Sequence, residues 1–305
     1  MGKYNCHFIK IDVTNTCNLS CPLCPNSYRR NKKSIPVKNM SLKDFCDFIN
    51  EMKISPQSIG FGVNNEPLLN KDIFNMINFV SKKNITTTLF SNFTLSNNYS
   101  VETIINSGIK YICIGLDGID QQSYSKYRIG GNFDIVINSI KQIQEYKKQH
   151  NSEFPKIKII FIVFKHNENL IEKAKRLFAD MEIPIFFRRT DLYAGFEDWF
   201  PVKFEQKNSN EDRIPVQHNK TNAICMEPFF SVTIDAFGNV YPCCGDGAFD
   251  FSVGNIFKES FDNIWNCEKM YNIRKVLQKK EKATNIPCIN CPIYKQDNTN
   301  IALKL

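Results

Sequence analysis

Hydrophobic and polar residues alternate with two different periods along residues 7–189. Short runs with a period of two predict β-strands, as in His7–Val13, Thr86–Phe90 and Lys156–Phe164. Longer runs with apolar residues three or four positions apart predict helices, as in the segment that begins at Phe133. Strand and helix patterns alternate through six repeats, and this order predicts a parallel sheet with right-handed crossover connections.

Such repeats fold either as an open, doubly wound sheet or as a barrel of six units. In both architectures the loops that leave the carboxyl ends of the strands form the active face. We therefore expect the functional residues of this part of the chain to follow the predicted strands directly.

The pattern changes after residue 189. Residues 190–222 lack a clear period and predict a linker or an extended excursion. Phe229–Ile234 and Val240–Cys243 flank a polar turn and predict a β-hairpin, and Phe261–Gln278 predicts a helix. This tail is too short to bury much core alone, so we expect a bound metal cluster to stabilise it.

The composition excludes several classes of protein. With 42% hydrophobic and 23% charged residues the chain is an ordinary globular protein, and no stretch approaches the roughly 20 apolar residues of a membrane span. The N-terminus lacks a signal-peptide pattern. The net charge of +8 is spread along the chain rather than interleaved with aromatic residues on one face. We expect a cytoplasmic protein without membrane or nucleic-acid partners.

Three of the twelve cysteines directly follow the first predicted strand. Cys17, Cys21 and Cys24 have the spacing Cys-x3-Cys-x2-Cys, with no fourth cysteine nearby. Structural zinc sites and closed iron–sulfur clusters both take four protein ligands. Three thiolates around a four-iron cluster would leave one iron open to another ligand. A zinc site with a distant fourth ligand is the alternative.

A second group of cysteines lies near the C-terminus. Cys225, Cys243, Cys288 and Cys291 are separated by 17, 44 and 2 residues, and four thiolates suffice to close a cluster. Cys244 adjoins Cys243 and could replace it as a ligand. A zinc ion held by four thiolates is the alternative here as well.

The first cysteine group resembles the cluster loop of the radical S-adenosylmethionine (SAM) superfamily. The resemblance continues through segments that follow successive strands, and it implies a partial (β/α)6 barrel of the TIM type, a 4Fe–4S cluster and bound SAM. In one of these segments Gly115 stands where the family often has a serine. The residues that this resemblance implies as cofactor contacts are Asn64, Asn65, Glu66, Ser91, Asn92, Asp117, Arg128 and Asn167.

The second cysteine group resembles the auxiliary-cluster tail of the SPASM/Twitch subgroup. The short, single-cluster form fits because no cysteine follows Cys291. The resemblance thus implies an α/β chain with two 4Fe–4S clusters, one that binds SAM and one auxiliary. Residues 1–200 would form the partial barrel, 201–222 a linker and 223–305 the auxiliary-cluster domain.

The resemblance implies an oxidoreductase that forms a 5′-deoxyadenosyl radical and takes a hydrogen atom from a small polyol, sugar or aminocyclitol. The auxiliary cluster would accept the remaining electron, and a flavodoxin or ferredoxin would supply electrons to the first cluster. Arg189, at the end of the sixth predicted strand, is the candidate catalytic residue. One alternative is a maturase that modifies a peptide or protein side chain. The other is a non-enzymatic iron–sulfur or zinc electron-transfer module.

Overall fold

The structure is a computed structural model. It describes residues 4–24, 35–189, 197–204, 225–245, 249–279 and 286–291. The strands are β1 Phe8–Ile11, β2 Ser58–Phe61, β3 Thr86–Ser91, β4 Tyr111–Gly115, β5 Lys156–Ile162, β6 Ile185–Arg188, β7 Ser231–Ile234, β8 Asn239–Tyr241 and β9 Gly254–Asn255. The α-helices are α1 Leu42–Glu51, α2 Ile73–Ser81, α3 Val101–Asn106, α4 Gln121–Ser125, α5 Phe133–Gln149, α6 Ile171–Ala179, α7 Glu227–Phe230, α8 Phe261–Trp265 and α9 Glu268–Lys279.

The chain forms two compact units, each assembled from separate segments. The parallel-sheet unit comprises Val13–Asn39 and Gly60–Asn208. The hairpin unit comprises Met1–Asp12, Met40–Ile59 and Ser209–Leu305. Most of the predicted linker lies outside the described residues, and the predicted division into three successive segments stays a prediction.

The parallel-sheet unit contains β3, β4, β5 and β6 as hydrogen-bonded neighbours in that order, all parallel, with the last two residues of β2 beside β3. The register pairs Phe90 with Cys113, Cys113 with Lys158, and Ile162 with Arg188. These strands and their intervening helices confirm the repeats predicted from the hydrophobic period.

The two faces of these strands differ in burial. Leu89, Ile112 and Ile159 lie on one face and are completely buried. On this face Phe161 and Val163 pack against Ala174 of α6. On the opposite face Cys113 and its neighbours in register are only partly buried. Helices therefore cover one face, while the other face is accessible to a ligand.

The predicted helix boundaries follow the expected capping chemistry. Ser41 Oγ accepts a hydrogen bond from Asp44 N at 3.0 Å at the start of α1. Ser100 Oγ accepts one from Thr103 N at 3.1 Å at the start of α3. Gly108 follows α3 with a φ of +77°, a conformation that glycine adopts readily. The two serines begin their helices, and the glycine follows the end of α3, where the sequence indicates.

In the hairpin unit β1 pairs in parallel with β7, β7 pairs antiparallel with β8, and β8 pairs antiparallel with β9. The turn between β7 and β8 is held by Asp235, whose Oδ1 accepts hydrogen bonds from Phe237 N and Asn239 N at 2.9 Å each. Gly238 in this turn has a φ of +81°. The predicted hairpin is confirmed.

One predicted helix is divided. The sequence predicts a continuous helix over Phe261–Gln278, but α8 ends at Trp265 and α9 begins at Glu268. The carbonyl oxygen of Trp265 accepts a hydrogen bond from Arg274 Nη1 at 2.8 Å. The backbone leaves the helical path at Asn266, and the guanidinium of α9 binds the carbonyl next to this break.

Arg274 connects three segments of the hairpin unit. Its Nε donates to the carbonyl oxygen of Pro228 at 2.8 Å, and the guanidinium lies 4.1 Å from the centre of the Trp265 ring and 5.3 Å from that of Tyr4. Burial lowers the pKa of the guanidinium to about 10, so the group stays charged at neutral pH. Arg274 therefore joins α9 to α8, to the start of α7 and to the N-terminal segment.

Within the described part of the chain, no helix has both the length and the apolar composition that crossing a bilayer requires.

We expect Arg274→Met to lower the free energy of unfolding by roughly 3 kcal/mol, because two buried carbonyl groups lose their donor. Urea denaturation followed by circular dichroism measures this change. Lys275→Met, on the same helix and only partly buried, is the matched control and should stay within about 0.5 kcal/mol of wild type. Equal midpoints for the two variants would contradict the proposed connection.

Candidate functional site

The loop that carries the first three cysteines is closed at its base by Asn15. The side chain of Asn15 donates from Nδ2 to the carbonyl oxygen of Pro36 at 2.8 Å and accepts from Lys38 N at 2.8 Å. Its backbone N–H donates to the carbonyl oxygen of Lys38 at 3.1 Å, and Thr14 forms a β-bridge with Asn39. These bonds hold the two ends of the loop side by side, immediately before the first cysteine, Cys17.

The three thiols differ in burial. Cys21 is buried, and Cys17 and Cys24 are partly buried. Burial raises the pKa of Cys21 to about 11, against the nearby Arg128 guanidinium, which lowers it. A bare thiol here stays protonated at neutral pH, whereas a metal ligand must be a thiolate. A thiolate at Cys21 would therefore need a bound cation to stabilise its charge.

Two N–H groups point at the sulfur of Cys17. Leu19 N lies 3.4 Å from Sγ and the side-chain Nδ2 of Asn92 lies 3.7 Å from it. Hydrogen bonds to sulfur are a recurring feature of iron–sulfur sites and affect their reduction potentials. Three cysteines with such donors fit a four-iron cluster.

Glu66 is a buried connector at the carboxyl ends of β2 and β3. Its side chain is 1% exposed, and it accepts hydrogen bonds from Ser91 Oγ at 2.7 Å and from Asn92 N at 2.8 Å. Its own backbone N–H donates to the carbonyl oxygen of Thr16 at 2.9 Å. Burial raises the pKa of Glu66 to about 7, against the hydrogen bonds, which lower it. Glu66 thus binds the end of β3 through its carboxylate and the cysteine loop through its backbone N–H.

Ser91 belongs to the same connection, since its Oγ also accepts from Phe93 N at 2.8 Å. The predicted cofactor contacts Asn64 and Asn65 precede Glu66 and are only partly buried. Of the predicted residues near β2 and β3, the two asparagines are therefore the more accessible to a ligand.

A second connector joins β4 to β5. Asp117 is completely buried, and its carboxylate accepts from Arg128 Nε at 2.5 Å and from Ile162 N at 2.6 Å. Asn167 is also completely buried. Its Nδ2 donates to the carbonyl oxygens of Asp117 and Ile162 at 2.9 and 3.0 Å, and its Oδ1 accepts from Phe164 N at 2.7 Å. These side chains fix the ends of two neighbouring strands.

Arg128 lies across β4 toward the cysteine loop. Burial disfavours its charge, but the acidic groups around it, Asp117 foremost, together outweigh burial and raise the pKa of the guanidinium. A Cβ at Gly115 would stand 2.4 Å from Nη2 of Arg128. This contact explains why glycine occupies the position at which the superfamily often has serine: a side chain there would displace Arg128. The charge of Arg128 is therefore fixed beside Cys21.

Three further residues of this site escaped prediction from the sequence. Asn15 closes the loop, and Asn18 and Thr94 form a hydrogen-bonded ring with Asn92. The only signal was position: Asn15 and Asn18 flank Cys17, and Thr94 follows Asn92 by two residues.

An aromatic cluster that the sequence did not indicate packs beside the cysteine loop. Phe164 contacts Tyr127 and Trp199, with ring centres 4.5 and 5.4 Å apart, and this cluster includes Cys21 and Leu23. Trp199 lies in the region without sequence periodicity. Glu168 anchors that region by accepting from the backbone N–H groups of residues 202 and 203, at 2.8 Å each.

The second cysteine group lies in the hairpin unit. Cys225, Cys243, Cys288 and Cys291 are all partly buried. They lie within electrostatic range of one another: a thiolate at Cys225 would raise the pKa of Cys243 and Cys288, and a thiolate at Cys291 would raise that of Cys225. Burial raises the pKa of Cys225 to about 11 and that of Cys288 to about 12. As in the first group, only a bound cation would keep such sulfurs deprotonated.

Cys244 has a different partner from its neighbour. Its Sγ accepts a hydrogen bond from Lys10 Nζ at 3.5 Å. Lys10 also forms a buried ion pair with Glu227, whose carboxylate accepts from Ser231 Oγ at 2.5 Å. Lys10 thus donates a hydrogen bond to Cys244, whereas Cys243 lies within electrostatic range of Cys225.

Within the described ranges, no three cysteine, histidine or acidic side chains converge closely enough to hold one metal ion. A four-iron cluster has no such requirement, because each cysteine binds a different iron.

The last predicted site residue is Arg189, directly after β6. Its guanidinium lies 5.6 Å from the centre of the Phe200 ring. Phe187 of β6 packs on the helix-covered face with Phe161. Because side chains alternate along a strand, Arg188 lies on the opposite, accessible face, where its charge acts on Cys113.

Two sequence profiles of known protein families match the chain, and each covers one of the two cysteine groups. The sequence profile of the Radical SAM superfamily matches residues 11–178, more than half of the chain. The SPASM profile, an iron–sulfur cluster-binding domain, matches residues 225–292.

Individual relatives are distant but cover most of the chain. The chain is 21% identical to an S-adenosyl-L-methionine-dependent 2-deoxy-scyllo-inosamine dehydrogenase of Niallia circulans, over 93% of this chain and 91% of that protein. It is 22% identical to a cysteine-type anaerobic sulfatase-maturating enzyme of Clostridium novyi, over 92% of this chain and 84% of that protein. Among solved structures, Streptococcus suis SuiB bound to S-adenosylmethionine is similar, with a TM-score of 0.70, 15% identity and coverage of 96% of this chain and 72% of that one.

The predicted fold class, a partial (β/α)6 barrel followed by a small auxiliary iron–sulfur domain, is confirmed by these matches. The chain belongs to the radical SAM superfamily and carries a SPASM iron–sulfur cluster-binding domain.

Proposed function

We propose that the protein is a radical SAM dehydrogenase that oxidises a small polyol, sugar or aminocyclitol at an alcohol carbon. The observation that carries the proposal is the alignment with the aminocyclitol dehydrogenase, which extends over 93% of this chain and 91% of that protein. The partly buried sheet face, which bears the cations Lys158 and Arg188, supports a polar substrate.

The donor sets support two 4Fe–4S clusters, one held by Cys17, Cys21 and Cys24, and the other by Cys225, Cys243, Cys288 and Cys291. We favour Cys243 over Cys244 because Lys10 binds the thiol of Cys244. When bound, the first cluster and SAM supply a 5′-deoxyadenosyl radical that removes a hydrogen atom from carbon, and the second cluster supplies an electron acceptor.

The chain itself positions these groups. Glu66 and Ser91 hold the β3 end against the cysteine loop, and Asp117 with Asn167 fixes the ends of β4 and β5. In this proposal the accessible Asn64 and Asn65 contact the cofactor directly. The buried predicted contacts act mainly by positioning the loops around it.

The chain also supplies a positive charge next to the first cysteine group. Arg128 carries a fixed positive charge beside Cys21, and in this proposal it offsets the negative charge of the thiolates and attracts the carboxylate of the cofactor. An external flavodoxin or ferredoxin is the proposed electron donor.

A peptide or protein maturase is the second candidate. The similarity to the sulfatase-maturating enzyme also covers 92% of this chain, at 22% identity. It supports a maturase nearly as well as the similarity to the aminocyclitol dehydrogenase supports a dehydrogenase. The two candidates differ in the molecule that loses a hydrogen atom, so a labelled substrate distinguishes them.

The decisive experiment uses anaerobically reconstituted protein with about eight iron atoms, SAM and dithionite. With 2-deoxy-scyllo-inosamine deuterated at the reacting alcohol carbon, we expect deuterium in 5′-deoxyadenosine and one ketone formed per label transferred. The substrate loses one hydrogen atom to the adenosyl group, one proton to the medium and one electron to the second cluster. The triple variant Cys17→Ala, Cys21→Ala, Cys24→Ala should keep about half of the iron and release no 5′-deoxyadenosine.

If this substrate and related aminocyclitols transfer no label while the protein still cleaves SAM, the dehydrogenase proposal is wrong. Label transfer from a deuterated peptide would then support the maturase. Absence of SAM cleavage in fully loaded protein would contradict radical chemistry altogether.

Separate roles for the two clusters make a second prediction. Cys288→Ala combined with Cys291→Ala should lower ketone formation far more than uncoupled release of 5′-deoxyadenosine, because these residues lie in the hairpin unit and not in the parallel-sheet unit. Circular dichroism first verifies that the variant folds, since metal binding and folding are often coupled. Equal loss of both activities in folded protein would argue against an electron-acceptor role.

The sequence favoured Arg189 as catalytic residue, but strand alternation in the structure favours Arg188. We expect Arg188→Ala to reduce substrate turnover at least tenfold, about 1.4 kcal/mol in transition-state stabilisation, because Arg188 lies on the accessible face. Arg189→Ala is the matched control and should stay near wild type. Steady-state kinetics on the substrate that transfers label measures both, and the opposite ranking would restore Arg189.

A further inference from the structure

The side chain of Asn92 is held in one orientation by a closed ring of hydrogen bonds. Its Oδ1 accepts from Thr94 Oγ1 at 2.6 Å and from Thr94 N at 2.9 Å. Its Nδ2 donates to Asn18 Oδ1 at 2.9 Å, and Asn18 Nδ2 donates to Thr94 Oγ1 at 2.8 Å. Turning the amide over would place its NH2 group against the N–H of Thr94, so the orientation is fixed.

This orientation directs the second N–H of Asn92 at Cys17. The distance from Nδ2 to Sγ is 3.7 Å, and Asn92 is almost fully buried. The backbone N–H of Asn92 donates to Glu66, so the residue is also fixed through its main chain. Every polar group of the Asn92 side chain is therefore bound within the protein, and one of them contacts a predicted cluster ligand.

We propose that Asn92 is a positioning residue that donates a hydrogen bond to the Cys17 thiolate and thereby raises the reduction potential of the SAM-binding cluster. The proposal rests on the proposed function, because it requires a cluster on Cys17. It differs from the role that the superfamily resemblance implies for Asn92, which is direct contact with SAM.

The direction of the effect follows from electrostatics. Reduction adds one negative charge, part of which resides on the thiolate sulfurs. An N–H dipole aimed at sulfur stabilises the more negative, reduced state more than the oxidised state. Removal of this donor makes reduction less favourable, and the midpoint potential becomes more negative.

The test is an EPR-monitored redox titration of the full-length, reconstituted protein. The signal that changes when SAM is added identifies the cluster of the first cysteine group. For Asn92→Leu, which is similar in size but lacks the donor, we expect up to a tenfold less favourable reduction equilibrium. For one electron this corresponds to a shift of up to about 59 mV to more negative potential.

Thr94→Val is the matched control, since it breaks the ring at Thr94 but leaves the amide of Asn92 beside Cys17. Its potential should stay close to that of wild type. Equal shifts in both variants would assign the effect to the rigidity of the ring and overturn the proposal. An unchanged potential in loaded Asn92→Leu would overturn it as well.

Asn92→Asp covers the case in which Asn92→Leu fails to load iron. The aspartate keeps the acceptor for Thr94, removes the N–H donor and adds a negative charge, so both changes should lower the potential. A potential equal to wild type in Asn92→Asp would overturn the proposal. Failure of wild-type protein to cleave SAM would count against the proposed function, whereas normal cleavage with unshifted variants counts only against the role of Asn92.

Discussion

The candidate site depends on one constraint: polar groups buried at the carboxyl edge of the parallel sheet must find partners within the protein. A buried polar group without a hydrogen bond costs about 1–3 kcal/mol. Glu66, Asp117 and Asn167 meet this constraint by binding the backbone of neighbouring strand ends and loops. Because each bond joins two segments, satisfying these groups also fixes the segments that surround the cysteine loop. The accessible parts of the site are thereby left to other residues, such as Asn64 and Asn65.

The same burial shapes the electrostatics of both cysteine groups. Removing a thiol from water favours its neutral form, so Cys21 and Cys288 resist deprotonation until a cation binds. Among the described residues, compensating interactions come from the charge of Arg128 on Cys21, from two N–H donors near Cys17 and from the charge of Lys10 on Cys225. Binding of iron would supply the remainder.

The sheet explains where a substrate can approach. Helices cover one face of β3–β6 with apolar side chains, whereas the other face carries partly buried residues that include Cys113 and Lys158. Arg188 at the end of β6 lies on the same face. In the proposed function, a polar substrate that enters from this side would meet the positive charge of Arg188 near the carboxyl ends of the strands.

The sequence by itself determined the repeating elements and the candidate chemistry. Hydrophobic period placed the strands and most helices because one side of each element is buried, and Ser41 and Ser100 marked helix starts through local backbone bonding. The spacing of Cys17, Cys21 and Cys24 was equally local, and it led to the superfamily that the profile match establishes.

Only the tertiary structure decided which polar residues are connectors and which are accessible. Glu66, Asp117 and Asn92 find partners 25 to 75 residues away, and no local pattern encodes such contacts. The orientation of Arg188 could not be predicted from the sequence either, since both faces of β6 are apolar. Only the packing of Phe187 against Phe161 shows which face the helices cover. The break after Trp265 has the same origin: its carbonyl is bound by Arg274, nine residues along the chain, in a contact that a continuous helical pattern does not reveal.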